Sequence, residues 1–254
     1  MVFKNINDNF IRFVFVLFAV FAGGQIGAKD LKVLVFAAHP DDELIGCGGS
    51  MAKHLQLGNK VKVVYFTSGD AGSLKYSKQE LAYIREKEAV KGLEVLGLGQ
   101  NIETSFLKNK DGYLMSDEKT LIQAVEAIRA YKPDIVYLLH LEESHNDHKV
   151  SNDIVLKAIN KARGNWFQEA KGEPWSVKTV LTYEISPMQK NTNYCEDITE
   201  FMPLKLKALA EHKTQLDSVT YDDLAESLGG YRGILNTGTK YAECFQIVKI
   251  ESIH

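Results

Sequence analysis

The chain has 254 residues, which is enough for one large domain with a deep core and marginal for two. Its net charge of −3, with 45% hydrophobic and 25% charged residues, excludes an extended basic surface for nucleic acid or anionic lipid. Recognition must therefore depend on a local site.

Residues 1–28 differ in composition from the rest of the chain. Lys4 and Arg12 precede an unbroken apolar run, Phe13–Ala22, and small residues follow it. A basic start, a short apolar middle and a small-residue end are typical of a secretory signal peptide. The run is much shorter than the roughly 20 residues that a membrane-spanning helix needs. We therefore expect an exported protein; the alternative is an uncleaved membrane anchor at residues 10–28, which would be the only membrane contact.

Residues 29–254 alternate strand-like and helix-like segments. Apolar, β-branched runs predict strands at residues 31–38, 61–67 and 134–139, with weaker strand patterns at 101–107, 177–185 and 244–250. Apolar spacing and cap residues, including a Ser77–Glu80 capping box and a Ser116 cap, predict helices at residues 46–57, 77–96, 116–132, 147–162, 203–216 and 221–228. This alternation predicts one Rossmann-like α/β domain with a mainly parallel sheet flanked by helices.

The three cysteines, Cys47, Cys195 and Cys244, have neither CxxC nor Cys/His spacing. They are too few for a disulfide scaffold, and an odd number leaves at least one thiol unpaired. We expect all three to be small buried hydrophobic residues.

The segment A-H-P-D-D-E, Ala38–Glu43, follows the first predicted strand. Ligands of open α/β sheets bind at the carboxyl ends of the strands. Pro40 restrains the loop, so a tight turn can bring His39 and Asp42 onto one metal ion while Asp41 points elsewhere. Three consecutive acids also repel one another unless a cation neutralises them.

A second cluster, H-N-D-H at His145–His148, follows the strand predicted at residues 134–139 and so belongs to the same sheet edge. His148 would supply a third ligand beside His39 and Asp42. Two histidines and one carboxylate leave the fourth position of Zn²⁺ for water, as in catalytic sites, and zinc lowers the pKa of that water to roughly 7.

The remaining polar residues of the two clusters have predicted roles around that water. Asp41 is the candidate general base, and His145 is the candidate acid or oxyanion stabiliser. Asp147 would orient a histidine from behind the ligands. His54 and His140 have no comparable partner in the sequence, and we interpret both as structural.

Other interpretations of these patterns stay open. Taken singly, the first cluster could be a turn with a helix cap, and the second a polar loop before a helix. Two histidines and a carboxylate also describe the Fe²⁺ site of non-haem iron oxygenases. That chemistry usually occurs in a double-sheet β-barrel, so the α/β pattern favours hydrolysis.

The AHPDDE segment, with Gly46, Cys47, Gly48 and Gly49 after it, and the later H-x-D-H resemble the motifs of LmbE/PIG-L-type zinc deacetylases. These enzymes remove an acetyl group from substrates that contain N-acetylglucosamine. The resemblance runs from about Val33 to Phe245 and implies the same ligands, the same base and the same histidine partner as above. One departure is Asn146, where many relatives carry proline; it removes no ligand.

Weaker similarities imply substrate contacts. Arg85 with Glu88 resembles an R-x-x-E helix whose arginine lies near the sugar, and Asp111 resembles an acidic position that contacts substrate. Without the resemblance, the first pair would be a solvated helix face, and Asp111 would belong to an ordinary turn. Two further segments, Ala210–Gln215 and Tyr241–Phe245, look like closing motifs of the family.

The resemblance thus implies a zinc-dependent N-deacetylase acting on a small molecule or glycoconjugate that bears N-acetylglucosamine. Fe²⁺ or another divalent metal in place of Zn²⁺ is an alternative. A non-catalytic carbohydrate-binding protein with the same fold is the alternative of a different class.

Overall fold

The computed structural model describes residues 30–98, 100 and 102–251. The leader that we predict at residues 1–28 lies outside them. The described residues from Leu31 onward form one compact unit. Among the described helices, none has the length and apolar character needed to cross a bilayer.

Seven strands and seven helices follow one another in the described chain. The strands are β1 (Lys32–Ala37), β2 (Lys60–Thr67), β3 (Glu103–Asn109), β4 (Ile135–Leu139), β5 (Thr179–Tyr183), β6 (Tyr194–Asp197) and β7 (Ala242–Ile250). The helices are α1 (Asp42–Gln56), α2 (Lys78–Gly97), α3 (Glu118–Tyr131), α4 (Asn146–Ala162), α5 (Met202–Leu209), α6 (Lys213–Leu216) and α7 (Tyr221–Arg232), with a π-helical turn at Gly233–Thr237.

The strands form one sheet in the order β3-β2-β1-β4-β5-β7-β6. Strands β1 to β5 are parallel, whereas β7 runs antiparallel to both β5 and β6. The predicted α/β class, with a mainly parallel sheet flanked by helices, is therefore confirmed. Because β1 and β4 are neighbours, the loops that follow them meet at one edge of the sheet.

Apolar residues cover both faces of the sheet, which explains the continuous hydrophobic runs of its central strands. In β1, Val33 and Val35 face one core, while Leu34 and Phe36 face the other. Helices α1, α2, α5 and α7 contribute to the first core, and α3 and α4 to the second. The site loops are thus attached to a sheet that is packed on both sides.

Local signals predicted helix starts and ends with small errors. The capping box of Ser77 and Glu80 begins α2 as predicted, but Asp117, rather than Ser116, caps α3. The helix predicted at residues 203–216 is two helices, because the chain breaks at His212 between α5 and α6. Strand β6 was not predicted.

The prediction for two of the three cysteines was wrong. Cys195 and Cys244 form a disulfide across the antiparallel pair β6–β7, where they lie opposite each other. They are separated by 49 positions, and only the pairing of the two strands brings them together. Cys47 is a buried free thiol in α1, as predicted.

Candidate functional site

The two polar clusters of the sequence meet at the carboxyl edge of the sheet. Residues 38–41 follow β1, and residues 140–145 follow its parallel neighbour β4. As a result, Nδ1 of His39 lies 3.3 Å from Nε2 of His148, although the residues are 109 positions apart. Both side chains are buried.

Asp42 completes a triangle with these two histidines. Its carboxylate oxygens lie 3.5 Å from His39 Nδ1 and 3.3 Å from His148 Nε2. The backbone N–H of His39 donates to the same carboxylate at 2.8 Å and fixes its position. Ligand atoms around a tetrahedral zinc ion, with bonds of about 2.0–2.1 Å, lie about 3.3 Å apart. Each of the three pairwise contacts is therefore close to that spacing, with the two oxygens of Asp42 each facing one histidine.

The other ring nitrogen of His39 faces two buried carboxylates. Nε2 lies 3.0 Å from Asp111 Oδ1 and 3.5 Å from Asp147 Oδ2, without the alignment of a directed hydrogen bond. The backbone N–H of Ala71 donates to Asp111 at 2.8 Å, and that of Gly112 donates to Asp147 at 2.7 Å. Both carboxylates are thus held by neighbouring loops and can restrain the ring of His39.

His145 stands at the start of α4, beside the same cluster and exposed to solvent. Its Nδ1 accepts the backbone N–H of Asp147 at 3.2 Å, so this ring caps the helix. Its ring centroid is 4.8 Å from that of His39 and 5.0 Å from that of His148. Burial and the charges of His39 and His148 lower the pKa of His145.

Among the described residues, two further groups of three are close enough to share a metal ion. One is His39, His145 and His148, and the other is His39, Asp111 and Asp147; within each group the ligand atoms lie within 4.8 Å of one another. Asp42 contacts His39 and His148 through its two different carboxylate oxygens, so its group differs from these two, in which each residue offers one ligand atom. His39 belongs to all three groups and is the centre of the cluster.

The cluster attracts positive charge. Burial alone would lower the pKa of His148, but Asp42 and Glu143 raise it to about 9. Burial would raise the pKa of Asp42, but His148 and His39 hold it well below its ordinary value. Asp111 is buried too, yet contact with His39 lowers its pKa to about 2. Ionised carboxylates around histidines that retain protons can hold a divalent cation in place of those protons.

Asp41 is held by Arg85 and not by the cluster histidines. Nη2 of Arg85 donates to Asp41 Oδ2 at 3.0 Å and to Pro40 O at 2.6 Å. The backbone of Asp41 has φ 123°, a conformation that residues other than glycine rarely adopt. Burial raises the pKa of Asp41 to about 7, against the opposing charge of Arg85.

Arg85 lies beneath the site loop, with only 3% of its surface exposed. Its Nη1 donates to Gly69 O at 3.0 Å. Gly69 has φ 67°, and a Cβ atom there would lie 2.2 Å from Nη1 of Arg85, so only glycine permits this approach. The sequence predicted a sugar contact for Arg85, whereas its two terminal nitrogens both donate to the protein.

Glu43, the last acid of the AHPDDE segment, lies in the core behind the loop. The hydroxyl of Tyr65 donates to Glu43 Oε1 at 2.6 Å, and the backbone N–H of Asp41 donates to Oε2 at 3.3 Å. Burial raises the pKa of Glu43 to about 8. Sequence reasoning gave Glu43 no role because its partner Tyr65 comes from β2, beyond the reach of the local pattern.

Glu143 and His140, between β4 and α4, also belong to the surroundings of the cluster. Oε2 of Glu143 lies 3.1 Å from His148 Nδ1, and Oε1 lies 2.9 Å from His140 Nε2. Sequence reasoning missed Glu143 and found no partner for His140. The sequence feature that could have indicated Glu143 is its position just before the H-N-D-H cluster.

Fold and site together define an α/β protein with a candidate metal centre at the carboxyl edge of its sheet. The profile of the PIG-L family, described as GlcNAc-PI de-N-acetylase, matches residues 34–159. The deacetylase YaiS of Escherichia coli, itself uncharacterised, is 30% identical over 197 residues, which are 73% of this chain and 92% of YaiS. Diacetylchitobiose deacetylase of Thermococcus kodakarensis is 28% identical over 229 residues, which are 85% of this chain and 83% of that enzyme.

The architecture agrees with these sequence relationships. N,N′-diacetylchitobiose deacetylase of Pyrococcus horikoshii, solved with an inhibitor, superimposes with a TM-score of 0.77 and 26% identity, over 97% of this chain and 95% of that chain. The chain belongs to the LmbE/PIG-L family of deacetylases, enzymes that act on N-acetyl amide bonds.

Proposed function

We propose that this protein hydrolyses the acetamide of an N-acetylglucosamine-containing substrate, with Zn²⁺ held by His39, Asp42 and His148. The observation that carries the proposal is the convergence of these three side chains at 3.3–3.5 Å beside Asp41. The substrate class is supported by the two relatives named for their action on diacetylchitobiose.

The donor set fits a catalytic rather than a structural zinc site, because it offers two imidazoles and one carboxylate. A zinc ion bound there would polarise the amide carbonyl and make a water molecule acidic enough to react near neutral pH. The α/β fold and the family favour this ion over the Fe²⁺ of oxygenases.

Asp41 and His145 would carry the proton transfers of the hydrolysis. Asp41 accepts the proton of the attacking water, and its buried position suits a base that works near neutral pH. His145 lies on the solvent side of the cluster, where it can stabilise the oxyanion and donate a proton to the departing amine. Water adds to the carbonyl carbon and the C–N bond breaks, so that acetate and a free amine result.

Asp111 is the proposed contact to the sugar, because it lies at the site with a carboxylate oxygen 3.0 Å from His39 Nε2. Arg85 has a different proposed role. Its guanidinium donates to Asp41, Pro40 and Gly69, so we infer that it supports the base and does not bind the sugar directly.

The test is a deacetylation screen with zinc-loaded protein on diacetylchitobiose and on N-acetylglucosamine joined to inositol, lipid or antibiotic groups. Release of free amine that stops on chelation and returns with Zn²⁺ would support the proposal. Zinc binding without amine release from any conjugate would favour the carbohydrate-binding alternative. His148→Ala serves as the matched variant, and unchanged zinc stoichiometry in it would remove His148 from the ligand set.

We also infer that residues 29–254 are the exported deacetylase domain and that residues 1–28 are its leader. The disulfide Cys195–Cys244 supports export, because disulfides persist in oxidising compartments. Fractionation of cells that express the full chain, followed by N-terminal sequencing, tests this. Loss of the leader supports a signal peptide, retention of Met1 in the membrane fraction supports the anchor, and an uncleaved chain in the cytosol contradicts both.

A further inference from the structure

Glu143 is a buried carboxylate directly behind a proposed metal ligand. It is 1% exposed, and its Oε2 lies 3.1 Å from Nδ1 of His148. The opposite nitrogen of the same ring, Nε2, lies 3.3 Å from both His39 Nδ1 and Asp42 Oδ1. Nε2 of His148 is therefore turned to the cluster, and Nδ1 is turned to Glu143.

Two backbone donors fix the carboxylate of Glu143 in place. The backbone N–H groups of Ile185 and Ser186, at the end of β5, donate to it at 2.6 and 3.2 Å. His140 lies beside this carboxylate: its Nδ1 accepts the backbone N–H of Glu142, so its Nε2 carries the proton and donates it to Pro187 O at 3.0 Å, while lying 2.9 Å from Glu143 Oε1. A carboxylate with these donors is rigid and accepts a further bond only in a defined direction.

We propose that Glu143 is the positioning residue of His148, an inference that rests on the proposed zinc site. Its carboxylate accepts Nδ1–H of His148 and so fixes the tautomer whose Nε2 lone pair points toward His39 and Asp42. A carboxylate behind a ligating histidine also increases the basicity of the ring and holds its orientation. Glu143 and His148 thus form one hydrogen-bonded pair that ends at the proposed metal centre.

The competing explanation is that Glu143 only ties the loop before α4 to the end of β5. Both roles predict a loss of thermal stability when the carboxylate is removed. Only a positioning role predicts a loss of zinc affinity in protein that remains folded. A measurement of zinc binding therefore distinguishes the two explanations, without any assay of activity.

The experiment compares Glu143→Gln with Glu142→Gln, its exposed neighbour, in the full chain. Zinc affinity is measured by competition with a chromophoric chelator. We expect roughly 10- to 100-fold weaker binding in Glu143→Gln, the range typical of such partners, and unchanged binding in Glu142→Gln. In the Co²⁺-loaded protein, the visible absorption bands should shift in the first variant and not in the second.

Each outcome decides the question. Wild-type zinc affinity and an unchanged cobalt spectrum in folded Glu143→Gln would overturn the positioning role while leaving the proposed function intact. Absence of zinc binding in the wild-type protein would overturn the proposed function itself. If Glu143→Gln does not fold, Glu143→Asp is the second variant, because it keeps the charge but moves the carboxylate away from His148 by one methylene. We expect weaker zinc binding in Glu143→Asp, and wild-type affinity there would overturn the proposal.

Discussion

The acids of the AHPDDE segment have neighbouring positions in the chain but different surroundings. Asp42 faces two histidines, Asp41 faces Arg85, and Glu43 lies in the core against Tyr65. The same side-chain chemistry therefore suits the three roles that we propose, a metal ligand, a base and a structural group, because burial and nearest charge differ at each position.

The assignment of Asp41 as general base predicts a loss of turnover without a loss of metal. In Asp41→Asn the amide cannot accept the proton of water, so we expect kcat to fall roughly 10²- to 10⁴-fold, with zinc stoichiometry unchanged. The measurement is steady-state deacetylation together with metal analysis. Asp223→Asn, at an exposed position of α7, is the control. Wild-type kcat in Asp41→Asn would exclude the base assignment.

The two roles considered for Arg85 predict different kinetic changes. If Arg85 supports Asp41, Arg85→Lys should lower kcat at least tenfold with little change in KM, because one ammonium cannot replace a planar guanidinium that donates to three oxygens. If Arg85 binds the sugar, KM should rise instead. The control is Arg163→Lys, at an exposed position after α4. An increase confined to KM would show that our interpretation of Arg85 is wrong.

At the scale of the elements, Arg129 holds α3 against the end of α4. This buried guanidinium donates to five backbone carbonyls at or beyond the end of α4, which are those of Lys161, Ala162, Gly164, Phe167 and Ala170. The carboxyl end of a helix carries partial negative charge, which favours a cation there. This contact lies far from the site, because α4 begins just after His145, beside the cluster, and its 17 residues extend about 25 Å along the helix axis.

Removal of this guanidinium should destabilise the protein without changing its chemistry. Arg129→Met leaves buried carbonyls without donors, so we expect the free energy of unfolding to fall by about 2–4 kcal/mol. Urea denaturation measures the loss, and kcat per folded molecule should stay at the wild-type value. Arg163→Met is the exposed control. A stability equal to that of wild type would mean that water replaces the guanidinium at these carbonyls.

The elements with strong local signals were predicted, and those defined by distant partners were not. Strands β1, β2 and β4 are mainly apolar and β-branched, and α2 has a capping box, so their existence follows from nearby residues. Strand β6 has only four residues and exists through its pairing with β7. The disulfide across that pair was missed for the same reason.

At the scale of the whole molecule, two buried histidines outside the metal cluster link stability to pH. His54, in α1, contacts the hydroxyl of Tyr137 and the amide of Asn59, and burial lowers its pKa to about 4. The ring nitrogens of His212, between α5 and α6, have no hydrogen-bond partner among the described residues, and burial lowers the pKa of this side chain to about 3. Both are neutral in the folded protein at pH values where an unfolded histidine is charged.

We therefore predict that stability falls as the pH decreases below about 6.5. Between that pH and about 4, the unfolded chain binds protons at these two positions that the folded chain does not bind. Each histidine then lowers the free energy of unfolding by about 1.4 kcal/mol per pH unit, and its contribution is fully present above pH 6.5. Urea denaturation of zinc-loaded protein at pH 7, 5.5 and 4.5 measures the slope.

Other groups also titrate in this range, so the variants His54→Gln and His212→Gln provide the comparison. Each should flatten the decline of stability with acid relative to the wild-type protein, because glutamine takes up no proton. Lys87→Gln, on the exposed surface of α2, should leave the slope unchanged. Parallel profiles for wild type and both histidine variants would contradict the assignment.

The sequence by itself determined the α/β class, most of the strands and helices, and the residues that form the cluster. Continuous apolar runs specify buried parallel strands, and polar residues directly after such strands must lie at their carboxyl edge. For this reason His39, Asp42 and His148 could be grouped before any coordinates were known.

Only the tertiary structure decided what surrounds those residues. Tyr65 contacts Glu43, and Ala71 contacts Asp111, across 22 and 40 positions of the chain. Glu143 is held behind His148 by Ile185 and Ser186, which are 42 and 43 positions away from it. Burial and the distance to the nearest charge set the chemistry of an ionisable group, and both are properties of the packed molecule. A local pattern specifies which residues reach the edge of the sheet, and the packing specifies what each of them can do there.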